Sequence, residues 1–251
     1  MTKPLNFLIA ADFPPANYAG WHLLNTLVQR RSGLRLRLLM PGDLKEQRQM
    51  LETENIDIVY ANPFDAAQLV RENGYIAFAK PASSSDEVVI AAKADATYNV
   101  VEDLPPGCQI ALTSNGDVKL ISLRLLEPAD LSEDNIELVS VESYQGVARL
   151  LIKGEAQAGL FLAHAYHSMS KLAKSQLKIR VESMLHDISH VFLANPIYAQ
   201  ELAQLRSVLL DIGSQSSDSD VLDALGMPSG FVAMEQEDAE FMIDLMETLV
   251  N

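Results

Sequence analysis

Apolar residues recur at every second position over three short segments near the start of the chain: Leu5, Phe7 and Ile9; Leu34, Leu36 and Leu38 set around Arg35 and Arg37; and Ile56, Ile58 and Tyr60. A period of two sends successive side chains to opposite faces and predicts strands. Between the first two, Trp21, Leu24, Leu27 and Val28 fall at helical spacing, with Arg30 and Arg31 behind them and Gly33 as the helix stop. Between the second and third, Pro41-Gly42 makes a turn and Asp43 is the N-cap of a helix carrying Leu44, Met50 and Leu51. This alternation of strands and helices predicts a parallel sheet with right-handed crossovers.

The same grammar returns further on. Segments 88–91, 109–112, 136–141 and 158–162 read as strands. One helix starts at Ser114 or Asn115 and carries Val118, Ile121 and Leu125; another starts at Ser143 and carries Tyr144, Val147, Leu150 and Leu151. A helix over about 163–174 and strands at 177–181 and 188–194 follow. Three helical stretches close the chain: 196–212, a short one capped by Ser217 or Asp218 and ended by Gly226, and 235–250 with Phe241, Leu245 and Leu249 on one stripe. The expectation is a second α/β lobe in mid-chain.

Composition narrows what such a chain does. Its 251 residues exceed one ordinary domain, and 48% hydrophobic with 21% charged residues is the composition of a folded globular protein. The 34 acidic against 19 basic side chains give a net charge of −15, which repels a phosphodiester backbone and argues against nucleic acid as a partner. No Lys or Arg follows Arg206, so the last part of the chain presents an acidic, solvated face. Cys108 is the single cysteine, which excludes an intrachain disulfide; placed before the apolar run 109–112, it reads as a buried, inert thiol. No run of about 18 apolar residues predicts a transmembrane segment. The N-terminal residues lack the apolar stretch and small-residue cleavage site of a signal peptide, so the expected location is cytoplasmic, or periplasmic if a leader was trimmed.

Three motifs in order resemble the phosphonate-binding branch of the solute-binding proteins that serve ABC transporters. Asp57-Ile58-Val59-Tyr60-Ala61-Asn62-Pro63-Phe64 is similar to that family's strand-to-helix passage, Lys153-Gly154-Glu155-Ala156-Gln157-Ala158-Gly159 to its G-E-A-D-A-G turn, and Leu225 to Val232 to its late L-G-x-x-G-F segment. The resemblance implies an α/β, two-lobed type 2 periplasmic binding protein fold: two mixed, mostly parallel sheets joined by two hinge crossings. Lobe one is then 1–81 plus 186–251, and lobe two 82–185. It implies a non-catalytic protein that needs no cofactor and holds a small ligand, an oxyanion by preference, in the cleft between lobes, with a transporter permease or a sensor protein as partner. Two other uses of the fold are a cytoplasmic sensory or regulatory protein and an enzyme of the menaquinone-pathway lyase kind.

Four loops at strand carboxyl ends then supply the candidate ligand-binding residues: Asp12 and Phe13; Tyr60 and Asn62; Thr113, Ser114 and Asn115; and Tyr144. Thr113, Ser114 and Asn115 offer small polar groups at a helix start, where an anion meets backbone N–H groups. N-capping explains the same residues, and burial at a strand end explains Tyr60. Tyr144 stands where the family often has His, and Leu162 where it often has an acid, which makes an aminophosphonate a poor ligand. The pairs His164/His167 and His186/His190 lack the further ligands of a zinc site, so no metal is expected. No nucleophile elbow, P-loop or dinucleotide fingerprint is present, and Asp12 is the one carboxylate to test for catalysis.

Overall fold

The computed structural model describes residues 3–13, 17–83 and 85–250, apart from the side chains of 199, 200, 249 and 250. The chain forms two compact units, Met1–Ser85 with Ser189–Glu247, and Asp86–Ile188 with Thr248–Asn251. The first unit contains β1 (Leu5–Ile9), α1 (Tyr18–Ser32), β2 (Leu36–Leu39), α2 (Leu44–Thr53), β3 (Ile58–Ala61), α3 (Pro63–Asn73) and β4 (Ile76–Pro81). The second contains β5 (Val88–Lys93), β6 (Gln109–Leu112), α4 (Gly116–Leu126), β7 (Glu137–Ser140), α5 (Tyr144–Lys153), β8 (Ala158–Leu162), α6 (Ala163–His167), α7 (Lys171–Ser175) and β9 (Leu177–Glu182). The chain then returns to the first unit with β10 (Val191–Ala194), α8 (Ala199–Asp211), α9 (Ser219–Leu225), β11 (Phe231–Ala233) and α10 (Gln236–Val250).

The first sheet runs β11-β4-β10-β3-β1-β2 and the second β7-β6-β8-β5-β9. Both are mixed. In the first, β1 to β4 run one way while β10 and β11 oppose them; in the second only β5 opposes the other four. The sheets are mixed, as expected, and most strands of each point one way, but β10, β11 and β5 make five of the nine neighbouring pairs among the described residues antiparallel.

All five residues of β1 are buried, because the strand lies inside its sheet with helices on both faces. Leu5, Phe7 and Ile9 join Trp21 and Leu24 of α1, Leu205 and Leu209 of α8 and Leu222 of α9. Leu8 faces the other way, toward Ala66 and Leu69 of α3 and Met242 and Ile243 of α10. α1 can approach α9 closely because position 20 is glycine: a Cβ there would lie 2.5 Å from the Ala224 carbonyl oxygen. Gly159 admits α5 to the second sheet in the same way, since its Cβ would come within 2.5 Å of Val147 Cγ1.

The predicted caps are found at Asp43, Asn115 and Ser143, each accepting from the backbone N–H three residues on, and Gly33 and Gly226 end their helices in the left-handed conformation. Four details differ. The stretch 163–174 is two short helices parted at Ser168–Ser170, and the helix expected from 196 begins at Ala199 after a single 3-10 turn. Asp218 precedes α9 but turns its carboxylate away, to Arg31 and Gly213 N. In α10 the buried stripe is Ala239, Met242, Ile243 and Met246, while Phe241 is 60% exposed and Leu249 lies outside the described side chains. Cys108 is buried as expected, and burial pushes its thiol up, away from the reactive thiolate.

Candidate functional site

In the first unit, β1 and β3 are parallel neighbours, so their carboxyl ends bring Asp12 and Asn62 together. Antiparallel β10 starts at the same end, which brings in His190. Asn62 Nδ2 donates to Asp12 Oδ2 at 3.2 Å, and His190 Nε2 lies 3.1 Å from Asp12 Oδ1. The Asn62 carboxamide is used at both ends, because its oxygen also accepts from Asp65 N at 2.8 Å and so caps α3. Tyr60 stacks on the His190 ring with centroids 5.1 Å apart, and Trp21 lies 4.7 Å from Tyr60 and 6.0 Å from Phe13. All four candidates of this unit thus meet around a buried aromatic and acid–histidine cluster. Pro14 and Pro15, the continuation of the Asp12 loop, lie outside the described residues.

Burial alone would raise the Asp12 carboxyl. The charge of His190, with hydrogen bonds from His190 and Asn62, outweighs it and holds Asp12 below the ordinary range. Asp65 shows the opposite balance, since burial raises its carboxyl and the hydrogen bond from Gln47 only partly offsets the rise. Gln47 ties the backbone just before Asp12 to Asp65: its Oε1 accepts from Ala11 N at 2.6 Å, and its Nε2 donates to Asp65. Gln47, Asp65 and His190 were not among the expected binding residues. The signal for Gln47 lay in the pattern, because a polar residue at the core position between Leu44 and Leu51 needs a buried partner.

In the second unit, β6, β7 and β8 are parallel, and their carboxyl ends carry residues 113–115, 141–143 and 162–163 at one end of the sheet. Asn115 is buried and accepts from Val118 N at 3.0 Å, while its own N–H bonds to Thr113 Oγ1 at 3.4 Å. Thr113 is half-buried and Ser114 exposed. Tyr144 opens α5 behind its cap Ser143, but its ring lies 6.1 Å from that of Phe161, packed into the apolar side of α5. His167 of α6 bonds Glu182 at 2.7 Å, and among the described residues no group of three or more His, Cys, Asp or Glu is placed to hold a metal ion.

Both sets lie at strand carboxyl ends, where helix starts direct backbone N–H groups outward. Such places accept a small polar or anionic solute.

A family model described as "ABC transporter, phosphonate, periplasmic substrate-binding protein" matches residues 7–239. No curated protein sequence matches significantly. Among solved structures, PhnD1 from Prochlorococcus marinus in complex with methylphosphonate is 13% identical, with a TM-score of 0.83 over 99% of this chain and 98% of that one. XAC2383 from Xanthomonas citri, bound to ATP, is 18% identical with a TM-score of 0.78 over 99% and 98%. A binding component of an ABC phosphonate transporter from Pseudomonas aeruginosa is 16% identical with a TM-score of 0.76 over 100% and 90%. These likenesses carry the two-lobed α/β fold.

Proposed function

The chain belongs to the periplasmic phosphonate substrate-binding family of ABC transporters, and from that premise we propose that it binds a small tetrahedral oxyanion without transforming it. The candidate binding residues are Asp12, Phe13, Tyr60 and Asn62 in the first unit and, in the second, Thr113, Ser114, Asn115 and Tyr144; of these side chains, Tyr60, Asn62, Thr113, Ser114, Asn115 and Tyr144 can donate to an anion. The observation that carries the reading is the start of α4, where Ser114 is exposed and Asn115 caps the helix at the end of a sheet strand. A helix start of this kind offers N–H groups and positive dipole to an anion. The cluster around Asp12 supplies shape and orientation through rings that touch one another. Delivery of the bound solute to an ABC permease completes the proposed role.

Thermal unfolding against methylphosphonate, phosphate, sulfate, methanesulfonate, small carboxylates and ATP tests it. Ligand at a hundred times its Kd stabilises by about 2.7 kcal/mol. In a chain of this size that is a rise of roughly 5–10 °C in Tm. A rise with at least one oxyanion, absent in Ser114→Ala combined with Thr113→Ala, supports the reading. No rise with any of them at millimolar concentration refutes it.

A further inference from the structure

We propose that the groove between α5 and the break separating α6 from α7 is a second binding site, for a small amphiphilic anion: a carboxylate carried on an apolar chain. The groove lies wholly within the second unit and is independent of the oxyanion reading above. Its volume of about 450 Å³ falls within the roughly 300–1,000 Å³ typical of small-molecule sites. It opens where the stretch 163–174 fails to run on as one helix. α6 ends at His167, Ser168–Ser170 turn the chain, and Ser170 caps α7 by accepting from Ala173 N at 3.2 Å.

The lining suits both halves of such a ligand. Along α5, Arg149 and Lys153 stand four residues apart and share a face with Ile152. Ile152, and Met169 from the α6–α7 break, pack on the buried core of the second unit, so the floor is apolar. The flexible thioether of methionine adapts to the shape of an aliphatic chain. Arg149 is exposed and makes no hydrogen bond or ion pair with any described residue, whereas Lys153 is held by Glu155 at 3.5 Å. A free guanidinium takes a carboxylate through two parallel hydrogen bonds. Ser170 Oγ spends a lone pair on its cap and keeps its O–H to donate. No acid lines the groove, and residues 143–181 hold six basic side chains against Glu155 alone, a local positive excess in a chain of net charge −15. That excess favours an anionic amphiphile over a neutral one.

Calorimetric titration of the full chain with octanoate, octanamide and acetate tests it. Octanoate should bind one to one; octanamide, which lacks the charge, should bind about tenfold more weakly or worse; and acetate, which lacks the chain, should not bind at millimolar concentration. Shortening octanoate to hexanoate should weaken binding by up to about fourfold for each methylene removed. Arg149→Ala should raise the Kd for octanoate by about tenfold and Arg149→Glu by more. Arg149 is exposed, so both variants should unfold at the wild-type temperature. Ala173→Phe, which fills the groove from α7, should abolish binding. In the wild type the amide resonances of Met169 and Ser170 should move as octanoate is added. Octanoate that fails to bind at millimolar concentration, octanamide that binds as tightly, or affinity that survives both Arg149→Glu and Ala173→Phe overturns the inference. A wild type that fails to bind octanoate but forms a dimer that Arg149→Glu dissociates also overturns it, and assigns the groove to a second copy of the chain.

Discussion

Gln47 of α2 accepts a hydrogen bond from the backbone N–H of Ala11 at 2.6 Å, and so fixes the last peptide before Asp12. Its other end holds Asp65, and the residue is 2% exposed. Removing it leaves a peptide N–H and a carboxyl without their partner, a cost of about 1–3 kcal/mol. Gln47→Ala should lower stability in urea by that amount and also weaken oxyanion binding, because the Asp12 loop loses its anchor. Gln47→Glu keeps the acceptor for Ala11 N but sets a second carboxyl against Asp65, so its stability should recover toward the wild type as pH falls and the new carboxyl is protonated.

Arg31 and Asp218 set a pH limit on the first unit. Arg31 Nη2 lies 2.6 Å from Asp218 Oδ1, whose side chain is 1% exposed, and Gly213 N donates to the other oxygen at 2.9 Å. Burial works to raise this carboxyl, but the Gly213 bond and the Arg31 guanidinium hold it below the ordinary range. A carboxyl lowered by folding stabilises the fold above its unfolded pKa of about 3.9. That contribution is lost as pH falls through the lower, folded value. Asp218→Ala, which leaves Arg31 only Asp211 at 3.7 Å, should cost roughly 3 kcal/mol at neutral pH. Chemical unfolding of both proteins between about pH 3 and 7 should show a constant gap above pH 5 that narrows below it.

Local pattern made the first three strands legible, since period-two spacing and turn residues survive any tertiary context. β4 escaped because Ile76 to Pro81 is a nearly continuous apolar run without alternation, and β11 because three residues, two of them exposed, carry no period. On α10 the large apolar residues Phe241 and Leu245 suggest one stripe, whereas Ala239, Met242, Ile243 and Met246 form the face that packs. Strand ends singled out Asp12, Tyr60 and Asn62, and the fold brings these three side chains into one cluster. The bond from Asp12 to His190 joins positions 178 apart, and only the antiparallel insertion of β10 beside β3 creates it. Nothing in the neighbourhood of either residue encodes that insertion.

Two glycines in helices should respond in opposite ways to alanine. At Gly20 the new methyl would lie 2.5 Å from a backbone oxygen of α9, which cannot yield without moving that helix. Overpacking of this kind costs about 1–3 kcal/mol. At Gly116, the first residue of α4, a Cβ meets nothing within 4 Å and the backbone is helical. Gly116→Ala should therefore be neutral or stabilise by about 0.4–1 kcal/mol, by restricting the unfolded chain. Midpoints of thermal unfolding that move in the same direction for both would contradict this account of α1 against α9.

Asn115 separates capping from ligand binding most sharply. Its Oδ1 accepts from Val118 N at 3.0 Å, and an Asp side chain makes the same bond. Asn115→Ala should lose about 1 kcal/mol of stability with the cap, together with part of the oxyanion affinity. Asn115→Asp should keep or slightly raise stability, because a negative charge at a helix start is favourable, by about 0.3–1 kcal/mol. The same charge stands where the ligand's must go, so oxyanion affinity should fall well below that of Asn115→Ala. If α4 only caps itself and binds nothing, ligand affinity should follow stability across the two variants. If its start receives the anion, the more stable variant should be the weaker binder, and calorimetry beside thermal unfolding of the same samples reads that inversion.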